Sequence, residues 1–164
     1  MDIRSIIREA IEQHDRREYL AWKRKNVSYR GVNDDAVDNE NGGGARFGRG
    51  LYTAALSNKK MSREYGKVYF VVNAVPKNPK VFDDTNQCEI WIHRNLFGQY
   101  MDGKFPSQRE FHKHTTIEAE MMKLGYDGIL IKGREMVNYA PPSDVFYSDN
   151  EDRVYNYWRH TVRG

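Results

Sequence analysis

The stretch Gly48-Arg49-Gly50-Leu51-Tyr52-Thr53-Ala54, with Ser62-Arg63-Glu64-Tyr65 shortly after it, decides how we interpret the rest of the chain. Its two glycines allow the backbone to approach a ligand closely, because glycine has no Cβ. A tyrosine ring beside such a turn can stack on a flat ring, and the Ser62 hydroxyl can hydrogen-bond a polar substituent. The pattern predicts a slot for a planar, polar heterocycle. The alternative is a hairpin turn followed by an amphipathic helix with Tyr65 in the core.

Length and composition predict one domain over residues 1–164, long enough to bury its own core. The single cysteine, Cys88, excludes an internal disulfide and suits the reducing cytoplasm, where we expect the protein to act. The net charge of +3 permits a nucleic-acid partner without indicating one. No apolar run approaches the ~20 residues that a membrane span needs, so we expect no membrane partner.

The amino-terminal segment, residues 1–26, has apolar residues at helical spacing behind Asp2, a suitable N-cap. These residues are Ile3, Ile6, Ile7, Ala10 and Ile11. The pattern predicts a helix with one apolar stripe. Basic residues gather towards its end, namely Arg16, Arg17, Lys23, Arg24 and Lys25. We interpret them as a solvated face, and the alternative is a nucleic-acid patch.

The pattern of residues 27–147 predicts short strands that alternate with a few helices. Lys67 to Val75 is nearly continuous in β-formers and is stopped by Pro76, which predicts a central strand. Two further helices should end at Gly66 and Gly125, where glycine favours the C′ position. Together these features predict an α+β domain built on antiparallel sheet, with a carboxy-terminal extension over 148–164.

The stretch from 83 to 113 gives no clear pattern, although Glu89 to Ile92 alternates as a strand would. Three histidines, His93, His112 and His114, lie in or just beyond it. They lack the paired ligand spacing of known metal motifs, so we expect solvent or core roles and no metal site.

Several separated segments resemble, in order, the motifs of the ADP-ribosyltransferase superfamily, particularly its poly(ADP-ribose) polymerase and diphtheria-toxin branch. Tyr29-Arg30-Gly31 occupies the place of a His-Gly motif, and 48–54 is similar to Gly-x-Gly-Ile-Tyr-Phe-Ala. Ser62 to Tyr65 resembles Ser-x-x-Tyr. Residues 125–129 and 135–139 are similar to an ending of many bacterial and phage-borne relatives. The resemblance covers residues 29–147.

This resemblance implies a split antiparallel β-sheet core with flanking helices around an NAD⁺-binding cleft. The Gly31 backbone and the Ser62 hydroxyl would hold the nicotinamide carboxamide. Tyr52 and Tyr65 would sandwich the nicotinamide ring, since a cationic ring favours aromatic faces. Glu135 would lie near the nicotinamide ribose, where a carboxylate can stabilise an oxocarbenium ion.

Arg30 departs from the pattern, because the branch usually has histidine at that position. By the same resemblance, Arg30 would bridge the adenosine ribose and the pyrophosphate through its guanidinium. The catalytic set is therefore expected to be Arg30, Tyr52 and Glu135. The Ser-Thr-Ser motif of the branch that begins with arginine is not found in the sequence.

The activity implied is mono-ADP-ribosyl transfer from NAD⁺, a co-substrate, to a macromolecular acceptor, a protein in preference to nucleic acid. No metal is expected. By family analogy, the small size suggests a bacterial or phage effector or toxin acting in the cytoplasm. Three alternatives stay open: an inert module that binds NAD⁺ or ADP-ribose, a nucleic-acid-directed transferase, and plain NAD⁺ hydrolysis.

Overall fold

The computed structural model describes residues 2–32, 46–64, 66–98 and 108–164, and it confirms the α+β class. Its helices are α1 Ile3–Asn26, α2 Lys59–Arg63, α3 Thr85–Ile92, α4 Gln108–His114, α5 Ile117–Lys123 and α6 Glu151–Tyr157. Its strands are β1 Val27–Val32, β2 Leu51–Ala54, β3 Lys67–Val72, β4 Pro79–Phe82, β5 Gly128–Ile131, β6 Glu135–Asn138 and β7 Phe146–Ser148. π-helical turns follow α3 and α6 at His93–Phe97 and Trp158–Val162.

The helix ends follow the predicted local chemistry. The Asp2 side chain accepts a hydrogen bond from the Arg4 backbone N–H and caps α1. Gly66 and Gly125, which follow α2 and α5, have positive φ angles of 118° and 93°. Glycine adopts that left-handed backbone without steric cost. Gly125 directly follows the C-cap Leu124, so the predicted stop of α5 is confirmed. Helix α2 ends earlier than predicted, at Arg63, with Glu64 as its C-cap.

The strands form one sheet in the order β4-β5-β6-β2-β1-β3-β7. Every neighbouring pair is antiparallel except β4 and β5, which run parallel with Pro79 opposite Gly128. The expectation of a purely antiparallel sheet is therefore wrong at this edge. The chain between β4 and β5 contains α3, α4 and α5, and a helical crossover of this kind returns the chain in the same direction.

The sheet is narrowest between β1 and β2, where Tyr29 and Ala54 are the one register pair. In contrast, β1 pairs with β3 along its whole length, from Val27 to Val32. The strands are thus joined into one sheet at this point. We call β4-β5-β6-β2 the first half-sheet and β1-β3-β7 the second.

The two half-sheets are folded towards each other. The Asn138 side-chain amide of β6 donates to the backbone carbonyl of Ala74, just beyond β3, at 3.0 Å. In a flat sheet, β6 and β3 would lie three strand spacings apart, roughly 14 Å. Leu51 of β2 also shares a buried apolar cluster with Val71 of β3. The sheet therefore bends sharply at the Tyr29–Ala54 pair.

Three apolar clusters pack against the two half-sheets. The outer face of the first half-sheet packs against α3, α4 and α5, and that of the second packs against α1 and α6. Trp158 is buried in the second of these cores, so the 148–164 extension is helical and belongs to the fold. The inner faces meet in a smaller cluster of Leu51, Val71 and Ala74. Side chains alternate between outer and inner faces along each strand.

We expect Asn138→Ala to destabilise the fold by roughly 1–3 kcal/mol, because it leaves the Ala74 carbonyl without its buried donor. Urea unfolding followed by tryptophan fluorescence measures the effect. Asn86→Ala, at an exposed position of α3, is the matched control and should change little. Equal stabilities for the two variants would contradict the role given to this hydrogen bond.

Candidate functional site

Tyr52 and Glu135 lie on the same face of neighbouring strands. In the pairing of β2 with β6, Tyr52 is opposite Val137 and Ala54 is opposite Glu135. Paired residues share a face, and residues two apart along a strand share it too. Both side chains therefore occupy the outer face, next to each other on the diagonal. The Tyr29–Ala54 pair extends this face to β1.

The same register separates Arg30 from Gly31. Gly31, two residues from Tyr29, belongs to the outer face with Tyr52 and Glu135, whereas Arg30 belongs to the inner face. The Arg30 guanidinium Nη1 donates to the Tyr147 hydroxyl at 3.3 Å. The structure therefore brings three of the predicted site residues to one face and directs the arginine to the other.

The remaining predicted site residues are Ser62 and Tyr65. Ser62 is buried, 3 % exposed, on a short helix that packs against β1, β2 and β3. α2 begins at Asn58, whose side chain accepts from the Met61 backbone N–H. Tyr65 lies outside the described residues. Ser62 is thus close to the junction of the half-sheets, on the short helix that the sequence predicts.

The Tyr52 hydroxyl holds the backbone of the preceding turn. It donates to the Gly48 carbonyl at 2.5 Å and accepts from the Phe47 N–H at 3.0 Å. The Tyr139 hydroxyl of the residue after β6 donates to the Phe47 carbonyl at 2.6 Å. Two tyrosines from adjacent strands therefore fix Phe47 and Gly48 against the sheet, a support that sequence reasoning did not predict.

Gly48 is needed in this turn for two reasons. Its φ angle is 102°, in the left-handed region that favours glycine. A Cβ there would also lie 3.0 Å from the Glu118 backbone nitrogen and from the Tyr139 ring. The Glu118 carboxylate accepts from the Arg49 N–H at 3.1 Å, which ties the turn to α5. The glycine therefore permits a close contact of protein with protein, in addition to any contact with a ligand.

Glu135 lies in a partly apolar environment. Burial raises the pKa of Glu135 above its ordinary value of 4.5, and the charges of Arg46 and Arg134 oppose the shift. Burial, together with the nearby Glu135 charge, raises the pKa of the Cys88 thiol to about 12. Cys88 is therefore a neutral, buried thiol beside the carboxylate.

The Glu135 charge also affects the pKa of Tyr52. Burial raises the pKa of Tyr52, the Phe47 backbone hydrogen bond opposes the rise, and the Glu135 carboxylate adds to it. Tyr52 is consequently a neutral phenol at physiological pH. Arg46, which forms an ion pair with Glu89 of α3, is the first of the two cations acting on Glu135. No sequence motif identified Arg46, because its role depends on the fold of the turn that follows it.

A groove of about 510 Å³ opens beside β2, on the side that carries Tyr147 of β7. Its lining residues are Arg49, Gly50, Leu51, Glu118, Tyr139, Pro141, Pro142, Ser143, Val145 and Tyr147. Arg30 donates a hydrogen bond to Tyr147, one of these lining residues. The groove has the volume of a small-molecule site, but neither Tyr52 nor Glu135 lines it.

The comparisons with known proteins give no relatives. No family model matches the chain, and neither the curated proteins nor the solved structures contain a significant match. Among the described residues, no cluster of three or more histidine, cysteine, aspartate or glutamate side chains could hold a metal ion. Within the same part of the chain, no helix combines the length and apolar character needed to cross a bilayer.

The raised pKa of Glu135 predicts a pH-dependent effect of Glu135→Gln on stability. Since the folded-state pKa lies above the unfolded value, the free energy of unfolding falls as pH rises from about 4.5 through the folded pKa. Glutamine has no charge to bury. The variant should therefore gain stability relative to the wild type between pH 4 and pH 7.5, measured by urea unfolding at both values.

Glu9→Gln is the matched control, because Glu9 is exposed on α1. It should shift stability equally at both pH values. If Glu135→Gln instead lost stability relative to the wild type on going to pH 7.5, the carboxylate would be stabilised by its surroundings, contrary to the environment described above.

Proposed function

We propose that this protein is an NAD⁺-dependent mono-ADP-ribosyltransferase. The observation that carries the proposal is the common face of Gly31, Tyr52 and Glu135, three residues that belong to separate motifs of the family it resembles. Their strands, β1, β2 and β6, are neighbours in the sheet order. On this proposal, residues from distant parts of the chain would meet one ligand at the junction of the half-sheets.

In the proposed reaction, the bond between ribose C1′ and the nicotinamide nitrogen breaks. The electron pair stays with nicotinamide, which leaves neutral, and positive charge develops on the ribose. Glu135 opposes that charge as a carboxylate. A nucleophilic atom of the acceptor then bonds to C1′ and loses its proton, so that ADP-ribose is transferred and nicotinamide is released.

The environment of Glu135 supports this role. A half-buried carboxylate acts on a nearby cation more strongly than one in water, because solvent screening is weaker. Arg46 and Arg134 lower the pKa of Glu135 against the effect of burial, which favours the charged form that the reaction requires. The neighbouring Tyr52 is neutral and offers a ring for stacking.

The other assignments concern binding. The Gly31 backbone and the Ser62 hydroxyl would hold the carboxamide, and Tyr65 would supply a second stacking ring. Arg30 lies on the inner face with Tyr147, so we assign it to the phosphates, away from the bond that breaks. On this assignment, the dinucleotide would extend around the narrow join from the inner face to the outer face.

The acceptor that we propose is a macromolecule, a protein in preference to nucleic acid. A small bacterial or phage effector or toxin acting in the cytoplasm is the setting that fits the resemblance best. Nicotinamide release together with label on a nuclease-resistant acceptor is the result expected. Nuclease-sensitive label would instead identify a nucleic-acid acceptor.

Glu135→Gln should reduce transfer and nicotinamide release on the order of a hundredfold or more, while the Kd for NAD⁺ stays unchanged. The measurements are nicotinamide release by chromatography, labelling of a lysate with biotinylated NAD⁺, and calorimetric binding. Glu9→Gln, on exposed α1 surface, is the control and should behave as the wild type.

Three results would contradict the proposal in different ways. Normal labelling by Glu135→Gln would show that Glu135 takes no part in the reaction. NAD⁺ binding by the wild type without nicotinamide release would identify an inert binding module. Free ADP-ribose without any labelled macromolecule would identify a hydrolase.

A further inference from the structure

Two hydroxyl groups are buried between the inner faces of the half-sheets. Ser28 of β1 has no exposed surface, and Thr53 of β2 is 4 % exposed. Among the residues that the structure describes, neither side-chain oxygen has a hydrogen-bond partner. An unpartnered buried hydroxyl lowers the stability of a fold, and one physical reason to keep two of them together is a partner that comes from outside the chain.

The register places both hydroxyls on the face that carries Arg30. Ser28 is opposite Val71, which packs between the inner faces, and Arg30 is two residues further along β1. Thr53 lies two residues after Leu51, which packs in the same place. Because residues two apart on a strand share a face, Ser28, Arg30 and Thr53 all lie on the inner side of the narrow join.

An apolar contact covers these hydroxyls on the side of the groove. The buried residues that make this contact form what we call the inner cluster: Leu51, Val71 and Ala74. Val145 packs against the inner cluster, and Leu51 and Val145 both line the groove of about 510 Å³. Ser28 and Thr53 are not among its lining residues. The groove therefore reaches the inner cluster and stops there.

The inner cluster is the smallest of the three apolar clusters. Among the described residues it has three buried members, whereas the core on the outer face of the first half-sheet has twelve. The strands beside it are also weakly joined, since β1 and β2 share the single register pair Tyr29–Ala54. Parting the inner faces would expose little apolar surface and would give both hydroxyls access to new partners.

We propose that the inner faces open at the inner cluster and bind a phosphate group between Ser28, Arg30 and Thr53. The guanidinium supplies charged donors and the two hydroxyls supply neutral ones, a set that suits an anion with several acceptor oxygens. In the closed form, Arg30 donates to the Tyr147 hydroxyl on the wall of the groove. The inference rests on the proposed function for the source of the phosphate, which is the pyrophosphate of the dinucleotide.

Calorimetric binding of inorganic pyrophosphate and of ADP-ribose to the full chain tests the site. Thr53→Val and Ser28→Ala should each weaken both ligands about tenfold or more, since each removes a hydrogen bond to a charged group. Thr53→Val should not lower the urea midpoint of the free protein, because its hydroxyl has no partner to lose among the described residues. A purely structural hydroxyl would lower that midpoint and leave binding unchanged.

Thr85→Val is the matched control. The Thr85 hydroxyl is also buried without a partner in the described part of the chain, but it lies on α3, outside the inner faces. This variant should bind both ligands as the wild type does. Binding of pyrophosphate but not of ADP-ribose would keep the phosphate site and identify a free anion as its ligand.

Thiol labelling tests the opening. In the Ser28→Cys variant, the introduced thiol should react with a thiol reagent well before Cys88, which is buried in the core on the outer face and serves as the internal reference. Equal labelling rates, no binding of either ligand by the wild type, or unchanged Kd values in both hydroxyl variants would overturn the proposal.

These readouts require no turnover, so the two proposals can fail separately. Ligand binding that depends on Ser28 and Thr53, without nicotinamide release from NAD⁺, would contradict the proposed function alone. Nicotinamide release by the wild type, with unchanged Kd values in both hydroxyl variants, would contradict the phosphate site alone.

Discussion

The pairing of Tyr29 with Ala54 joins the two half-sheets and sets the bend between them. It is the narrow join between two half-sheets that are otherwise well paired, and it sets which residues of β1 share a face with β2 and β6. The bend at this join buries the inner faces against each other, with Asn138 bound to the Ala74 carbonyl. Two separate layers of helices cover the outer faces. A longer β1–β2 ladder would flatten the sheet and remove the place where the proposed ligand meets Gly31, Tyr52 and Glu135.

The parts of this fold that could be predicted are those fixed by local chemistry. Asp2 caps α1 through its own side chain, and Gly125 ends α5 with a positive φ at the C′ position. The strand from Lys67 was evident because β-formers fill both of its faces. Val72 packs in the core of the outer face and Val71 in the cluster between the inner faces. The common face of Tyr52 and Glu135 follows from the β2–β6 register, which no local pattern specifies.

The features that could not be predicted depend on contacts between distant segments. Glu89 to Ile92 alternates in polarity like a strand, yet it lies in α3, where Cys88 and Ile92 are buried one helical turn apart. The parallel edge arises because α3, α4 and α5 carry the chain across the sheet before β5. Likewise, the effect of Arg46 on Glu135 requires the Phe47–Gly48 turn, which two tyrosine hydroxyls hold. The apolar stripe of α1 was visible in the sequence, but the exposure of its isoleucines on the folded domain was not.

We propose that a dinucleotide binds where the two half-sheets join. Amide chemical-shift mapping of the isotope-labelled protein during titration with NAD⁺ tests that claim most directly, because it does not require turnover. We expect the largest changes at Gly31, Tyr52 and Glu135. Nicotinamide alone should affect these residues, and ADP-ribose should extend the changes to Arg30 and Tyr147. Saturable changes confined to other parts of the chain, or no changes with NAD⁺ in large excess, would contradict it.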